Sequence, residues 1–332
     1  MPLTVPLSVL DLAPVRQDGT VADALARSLD LARHVEKLGY NRFWVAEHHN
    51  MPGIASSATS VLIGYIAGGT STIRVGSGGI MLPNHAPLVI AEQFGTLEAL
   101  YPGRIDLGLG RAPGTDPMTM RALRRDLTDD DNDFPRNVQE LQALLAPATE
   151  GQKVRAVPGA GSNVPVWLLG SSTFSAQLAG LLGLPFAFAS HFAPLRLMEA
   201  LETYRHFFQA SEHLEKPYAM VGVPVIAAPT DDEAHYQATT QYQRLINLVR
   251  GRPTTLMPPV DNMDGLWEAR EEAYVRSHLG VAVIGGPDTV REGLAALVAR
   301  TGADELIITT DFYDHADRLR SFEIVKEATS GP

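Results

Sequence analysis

The chain has 332 residues, 45% of them hydrophobic, a formal net charge of −11 and no cysteine. Such a composition excludes a disordered chain and argues against a surface for nucleic acid or anionic membrane. It also removes disulfides, thiolate metal ligands and cysteine nucleophiles.

Strand-like and helix-like runs alternate from end to end. Residues 6–12 (PLSVLDL) form a first apolar strand, and residues 20–38 a helix with Val21, Leu25, Leu29, Ala32 and Val35 on one face. Thr20 and Asp23 stand at capping-box spacing, and Gly39 ends that helix. Strand 42–47 precedes helix 57–68, strand 73–82 precedes helix 88–100, and strand 105–110 follows. An excursion over about 111–163 carries an acidic stretch, 129–133, read as a solvated loop, and a helix at 134–145. Then come strand 165–170, helix 174–182, strand 185–190, helix 194–210 and strand 219–227. A second excursion holds helices 231–249 and 266–278 around a Pro-rich segment, about 250–265. Helix 289–300, strand 305–310 and helix 316–328 complete the chain.

Eight short apolar strands, each followed by helix, predict parallel pairing. At this length they predict an α/β fold: one (β/α)₈ TIM barrel over residues 1–332, with loop insertions after strands four and seven. The first twelve residues lack the basic start and cleavage site of a signal peptide. No run approaches the roughly 18 apolar residues of a membrane span. The expectation is a soluble cytoplasmic protein that binds neither nucleic acid nor membrane.

Barrel sites are built at the C-terminal ends of strands. There the fourth strand ends in Gly110-Arg111, whose guanidinium fits a phosphate or a salt bridge to a carboxylate such as Asp116. The fifth ends in Gly170-Ser171-Ser172-Thr173-Phe174-Ser175 before a helix, which reads as an anion site or as plain N-capping by Ser172 or Thr173. Together with Arg111, the anion site is the better reading. Gly76-Ser77-Gly78-Gly79 inside the third strand marks a bulge at a tight corner or a backbone on which a flat ring stacks. Glu47-His48-His49 ends the second strand. Adjacent histidines in extended chain point to opposite faces, so one faces the mouth as a general acid or base, or is satisfied by a carboxylate. No metal motif, Walker motif or Gly-x-Ser-x-Gly elbow is present.

These segments, with Gly103-Arg104, Gly108-Leu109-Gly110-Arg111 and Gly183-Leu184-Pro185, resemble bacterial luciferase and its relatives, above all the luciferase-like flavin-dependent oxidoreductases of unassigned substrate. The resemblance covers nearly the whole chain. It implies that His48 serves the oxygen chemistry and that Ser77, Gly78 and Gly79 meet the isoalloxazine across a non-proline cis peptide at Gly78-Gly79. It further implies that Arg111, Gly170, Ser171, Ser172 and Ser175 bind the flavin and its phosphate, with no metal. Luciferase has an acidic residue in place of Ser171 and a reactive cysteine in place of Gly110; the Gly110 difference argues against aldehyde-driven light emission.

The expected enzyme is a two-component monooxygenase. A separate flavin reductase supplies reduced FMN, and a small molecule is oxygenated under a lid made by 113–132 or 251–264. The alternatives are a deazaflavin-dependent dehydrogenase or reductase, a non-catalytic flavin-binding protein, and a metal-dependent barrel hydrolase. The resemblance also implies a homodimer packed through helices 57–68 and 88–100.

Overall fold

A computed structural model describes residues 3–112, 115–123 and 133–330. All eight expected strands form, as β1 (Leu7–Asp11), β2 (Arg42–Val45), β3 (Arg74–Ser77), β5 (Ile105–Gly110), β6 (Val166–Gly170), β7 (Phe186–Phe188), β8 (Ala219–Ala227) and β10 (Glu305–Thr309). They pair in parallel in that order, and β10 bonds to both β1 and β8, so the sheet closes into a (β/α)₈ barrel.

Two strand segments depart from the expectation. The third strand, read as continuous over 73–82, stops at Ser77 and resumes as β4 (Ile80–Met81), which pairs with β5. The break is at Gly78-Gly79, joined by a cis peptide. A three-residue strand, β9 (Val283–Gly285), was not expected and pairs with the upper end of β8. Pro224 explains the change of partner. Below it β8 bonds to β10, up to the pair Thr309–Pro224; above it Val225–Ala227 bond to β9. Proline has no N–H to donate to a ladder, so pairing changes there.

The helices are α1 (Val21–Lys37), α2 (Thr59–Gly69), α3 (Pro87–Leu100), α4 (Pro117–Ala122), α5 (Asp133–Leu145), α6 (Thr173–Leu181), α7 (Leu197–Phe207), α8 (Asp231–Val249), α9 (Ala269–His278), α10 (Pro287–Thr301) and α11 (His315–Thr329). The Thr20–Asp23 capping box closes as its spacing predicts, and Gly39 follows in the left-handed region. The acidic stretch 129–133, except Asp133, and the lid expected at 113–132, except 115–123, lie outside the described residues. Among the described residues no helix is long and apolar enough to cross a membrane.

One apolar core fills the space between barrel and helices. A second lies inside the barrel: Leu10, Trp44, Ala46, Trp167, Ala187, Met220 and Ile307. Trp167 meets Trp44 and Tyr218 edge-on, at 5.1 and 5.6 Å between ring centroids. Below this aromatic layer the barrel is plugged by charge. Arg42 donates to Asp106 at 2.7 Å and to Glu305 at 3.1 Å, and Arg74 donates to Asp106 at 2.5 Å. Trp44 Nε1 also donates to Asp106, at 3.1 Å, and the Tyr218 hydroxyl to Glu305, at 2.8 Å. Both carboxylates are fully buried. The plug fills the lower end of the barrel interior with paired charge, beneath the mouth.

Candidate active site

A cavity of about 490 Å³ opens above the aromatic layer, at the C-terminal ends of the strands. That volume lies in the ordinary range for small-molecule sites. Leu10, Trp44, Ala46, Leu169, Ala187 and Ile307 form its apolar floor and walls. Around this floor the structure gathers His48, Gly78, Gly79, Gly110, Arg111, Gly170, Ser171, Ser172 and Ser175. Of the residues expected at the site only Ser77 stands apart. Its fully buried hydroxyl donates to the Gly108 carbonyl at 2.8 Å and accepts from the Gly108 N–H at 2.9 Å, clamping β3 to β5.

One wall gathers groups whose chemistry suits an anion. Ser172 is the N-cap residue of α6, yet its side chain makes no capping hydrogen bond. Its hydroxyl is therefore not spent on the helix, and the first N–H groups of α6 point toward the same space. Arg111 stacks on the ring of Phe174 in the first turn of α6, 4.3 Å from guanidinium carbon to ring centroid. That contact fixes the charged fork beside the helix N-terminus. Glycine at 170 is required by crowding: a Cβ there would come within 2.6 Å of Ser175 Cβ and Oγ. Asp116, the carboxylate considered as a partner for Arg111, caps α4 by accepting from the N–H groups of Met118 and Thr119.

The floor glycines have separate causes. A Cβ on Gly79 would lie 2.7 Å from the Gly108 carbonyl oxygen, and one on Gly78 would lie 2.4 Å from Leu10 Cδ1. Gly76, lower in β3, leaves room for Asp106 in the charged plug: its Cβ would meet the Asp106 carbonyl at 2.5 Å. Close backbone approach thus accounts for Gly76 and Gly79 and a neighbouring side chain for Gly78, and of the run only Gly78 and Gly79 reach the cavity.

The two histidines divide as alternation requires. His48 lines the cavity. His49 turns away and its Nε2 meets Glu47 Oε1 at 2.8 Å. The same buried carboxylate holds His85 Nε2 at 2.9 and 3.0 Å and accepts the Met81 N–H at 3.0 Å. Burial pushes the Glu47 carboxyl up, but the bonds from His85, His49 and Met81 outweigh it and leave it below the ordinary value. Glu47 thereby ties the end of β2 to β4 beneath His48. The sequence put Glu47 at the mouth, but its partner His85 lies 38 positions away in chain and no local pattern joins them.

His191, at the end of the sixth barrel strand, and its neighbour Phe192 close the cavity's far side. The Phe192 ring lies 4.5 Å from that of His191 and 6.4 Å from that of His48. Desolvation pulls the His191 imidazole down to about 3, helped by the positive potential of His278, His48 and Arg244. In the unfolded chain it titrates near 6.5. Between those values the unfolded state binds the extra proton, so folding stability is full above pH 6.5 and lost as pH falls toward 3. The loss is on the order of a few kcal/mol. Urea unfolding at several pH values should show His191→Gln losing less stability than the parent between pH 6.5 and 4.5; a gap constant with pH would contradict the assignment.

The segment expected as a lid, 251–264, crosses the rim beside β1. Leu256 exchanges backbone hydrogen bonds with Val15 and Gln17, both at 2.8 Å. A Cβ on Gly53 would fall 2.3 Å from the Thr254 carbonyl oxygen, so only glycine admits this crossing. Among the described residues no group of three His, Asp or Glu side chains is placed to hold a metal ion.

With this geometry in place, comparison with known proteins is informative. The profile of the luciferase-like monooxygenase family matches residues 5–305. The chain is 58% identical to the Bacillus subtilis (strain 168) protein YvbT, covering 97% of this chain and 96% of that one. It is 53% identical to a luciferase-like monooxygenase of Escherichia coli (strain K12), covering 99% of each. The crystal structure of apo-MsnO8 superposes with a TM-score of 0.88 at 37% identity, over 98% of both chains. Two more distant structures share the fold. One is the oxygenating constituent of the 3,6-diketocamphane monooxygenase of Pseudomonas putida in complex with FMN, with a TM-score of 0.75 at 20% identity and 99% and 98% coverage. The other is an F420-dependent secondary alcohol dehydrogenase in complex with an F420–acetone adduct, with a TM-score of 0.65 at 15% identity and 99% and 100% coverage.

Proposed function

The chain belongs to the luciferase-like monooxygenase family, and from that premise we propose a two-component monooxygenase that uses reduced FMN, delivered by a separate reductase, and O₂ to oxygenate a small organic substrate. The observation that carries this reading is the meeting of Arg111, Ser171, Ser172, Ser175 and the N-terminus of α6 on one wall of a cavity whose floor is apolar. A phosphate suits that wall, and a flat ring suits the floor at Gly78-Gly79, where no side chain projects.

When bound, the flavin supplies the oxygen-activating chemistry. The chain supplies the surroundings. Arg111 and the α6 N–H groups hold the phosphate. The floor of Leu10, Trp44, Ala46, Leu169 and Ile307 keeps water from the reacting atoms. His48 accepts or donates a proton at its imidazole, and segment 251–264 covers the rim. A deazaflavin coenzyme is the alternative occupant, because its phosphate would use the same wall; the reaction would then be hydride transfer without O₂. Side-by-side titration of reduced FMN and reduced deazaflavin, followed by O₂ consumption, decides between them. FMN binding at least tenfold tighter is expected, and preference for the deazaflavin would reject the monooxygenase reading.

The protein is further proposed to be a homodimer through α2 and α3. Val61 and Tyr65 on α2, and Val89 and Leu100 on α3, present large apolar side chains to solvent. Light scattering at micromolar concentration should give twice the chain mass, and Val61→Glu should shift it toward the monomer. A monomeric parent would end this proposal.

A further inference from the structure

A second cavity, of about 80 Å³, lies beside the mouth between the end of β10, α8 and α11. It shares Leu10, Leu12, His191 and Phe192 with the main cavity, so the two adjoin. Its wall has an unusual property. Four polar atoms sealed from solvent have no hydrogen-bond partner among the described residues and belong to residues lining this one small space: Thr310 Oγ1, Gln241 Oε1, Arg318 Nε and His191 Nδ1. Thr310, Gln241 and Arg318 are 5%, 8% and 4% exposed. Buried polar groups are nearly always satisfied, and one left alone is destabilising. Two of these four, Arg318 Nε and Thr310 Oγ1, can donate to an acceptor placed in this cavity.

The donor set says which ligand. Arg318 keeps its Nη2 on buried Asp11 at 2.7 Å, and Arg244 keeps Nη1 on Asp311 at 2.5 Å. Each guanidinium is thus fixed in place by one carboxylate and has further N–H groups. Arg318 Nε–H and the Thr310 hydroxyl are donors, and the Gln241 carbonyl is an acceptor. The exit toward the main cavity, past Leu12 and Phe192, is apolar. We propose that this cavity is the subsite for the carboxylate head of a small organic acid, whose apolar body runs past Leu12 and Phe192 toward His48. A planar carboxylate presents two acceptor oxygens to Arg318 and Thr310. A tetrahedral sulfonate or phosphate would bring a third oxygen against Gln241 Oε1 or Asp311. The inference rests on reading the main cavity as the place of oxidation, and it names the substrate class of that site.

The test is calorimetric titration of hexanoate, hexan-1-ol and hexane-1-sulfonate into the full chain, with reduced FMN binding measured on the same samples. Hexanoate should bind at least tenfold tighter than the other two. Thr310→Val keeps the side-chain shape and removes only a hydroxyl without a partner, so the fold should survive. It should weaken hexanoate about tenfold, as expected for one hydrogen bond to a charged group, and leave FMN affinity unchanged. Arg244→Gln is the second variant and should also weaken hexanoate. Equal binding of the alcohol, tighter binding of the sulfonate, or hexanoate affinity unmoved by both variants would overturn the subsite. If FMN binds but hexanoate does not discriminate, the subsite fails and the flavin reading stands. If hexanoate behaves as expected while neither flavin nor deazaflavin binds, the subsite stands and the flavin reading fails.

Discussion

Replacing Asp106 with alanine is expected to lower the unfolding free energy by about 3–5 kcal/mol, the usual penalty for breaking a buried ion pair from one side. Asp106 accepts from Arg42, Arg74 and the indole of Trp44 at once. Its removal leaves Arg42 shared only with Glu305 and leaves Trp44 Nε1 buried without its acceptor. The pair Arg42–Glu305 cannot absorb the surplus, because Glu305 already accepts from Ser8, Asn41 and Tyr218. Urea denaturation of parent and variant measures the difference. A change under about 1 kcal/mol, the level of a surface pair, would mean that the plug is hydrated and contributes little. The mouth lies above the aromatic layer, so cofactor affinity of the folded variant should change far less than its stability.

Arg111→Ala has the opposite profile. It should weaken reduced FMN on the order of a hundredfold, because a charge-assisted bond of about 1.5–3 kcal/mol is lost from the phosphate wall. Stability should hardly move. The stack on Phe174 complicates the reading, since the ring also loses its partner. Arg111→Lys and Phe174→Leu separate the two effects. The lysine keeps the charge but not the planar fork, and leucine keeps the guanidinium but loosens its aim. Both should fall between parent and Arg111→Ala. If Arg111→Ala bound FMN as tightly as the parent, the phosphate would have to lie elsewhere.

Much of this molecule could be read from residue order alone, and the reasons are local. The barrel strands are short, largely apolar and largely buried runs, as in AMVGVPVIA, and such runs stand out without any long-range information. The rule that strand ends build the site then selected His48, Arg111 and the serines of 170–175, and the structure brings them to one cavity. The divergence of His48 and His49 followed from strand alternation. What escaped was set by contacts distant in sequence. Ser77 was grouped with Gly78 and Gly79 because it is their neighbour, yet its hydroxyl belongs to Gly108, 31 positions on. Strand β9 has three residues, too few for a period to declare itself. His85, Gln241 and Arg318 carry no shared motif, and only closure of the barrel brings Gln241 and Arg318 to Thr310.

The divided pairing of β8 has a consequence for how such a protein can change. Below Pro224 the hoop of hydrogen bonds is continuous around the barrel, and a substitution there is felt by both neighbours. Above it β8 is bonded to β9 and not to β10, so the collar is split on that side and the end of β10 hangs free of its ladder. Thr310 and Asp311 sit at this seam, and α8 packs over it. Side chains at the seam can be exchanged without breaking a single inter-strand bond, while the wall of Arg111, Ser171, Ser172 and Ser175 at the ends of β5 and β6 stays untouched on the opposite arc. On the assignments proposed above, substrate choice and cofactor grip are thereby mechanically uncoupled, and a lineage could alter the one without relearning the other.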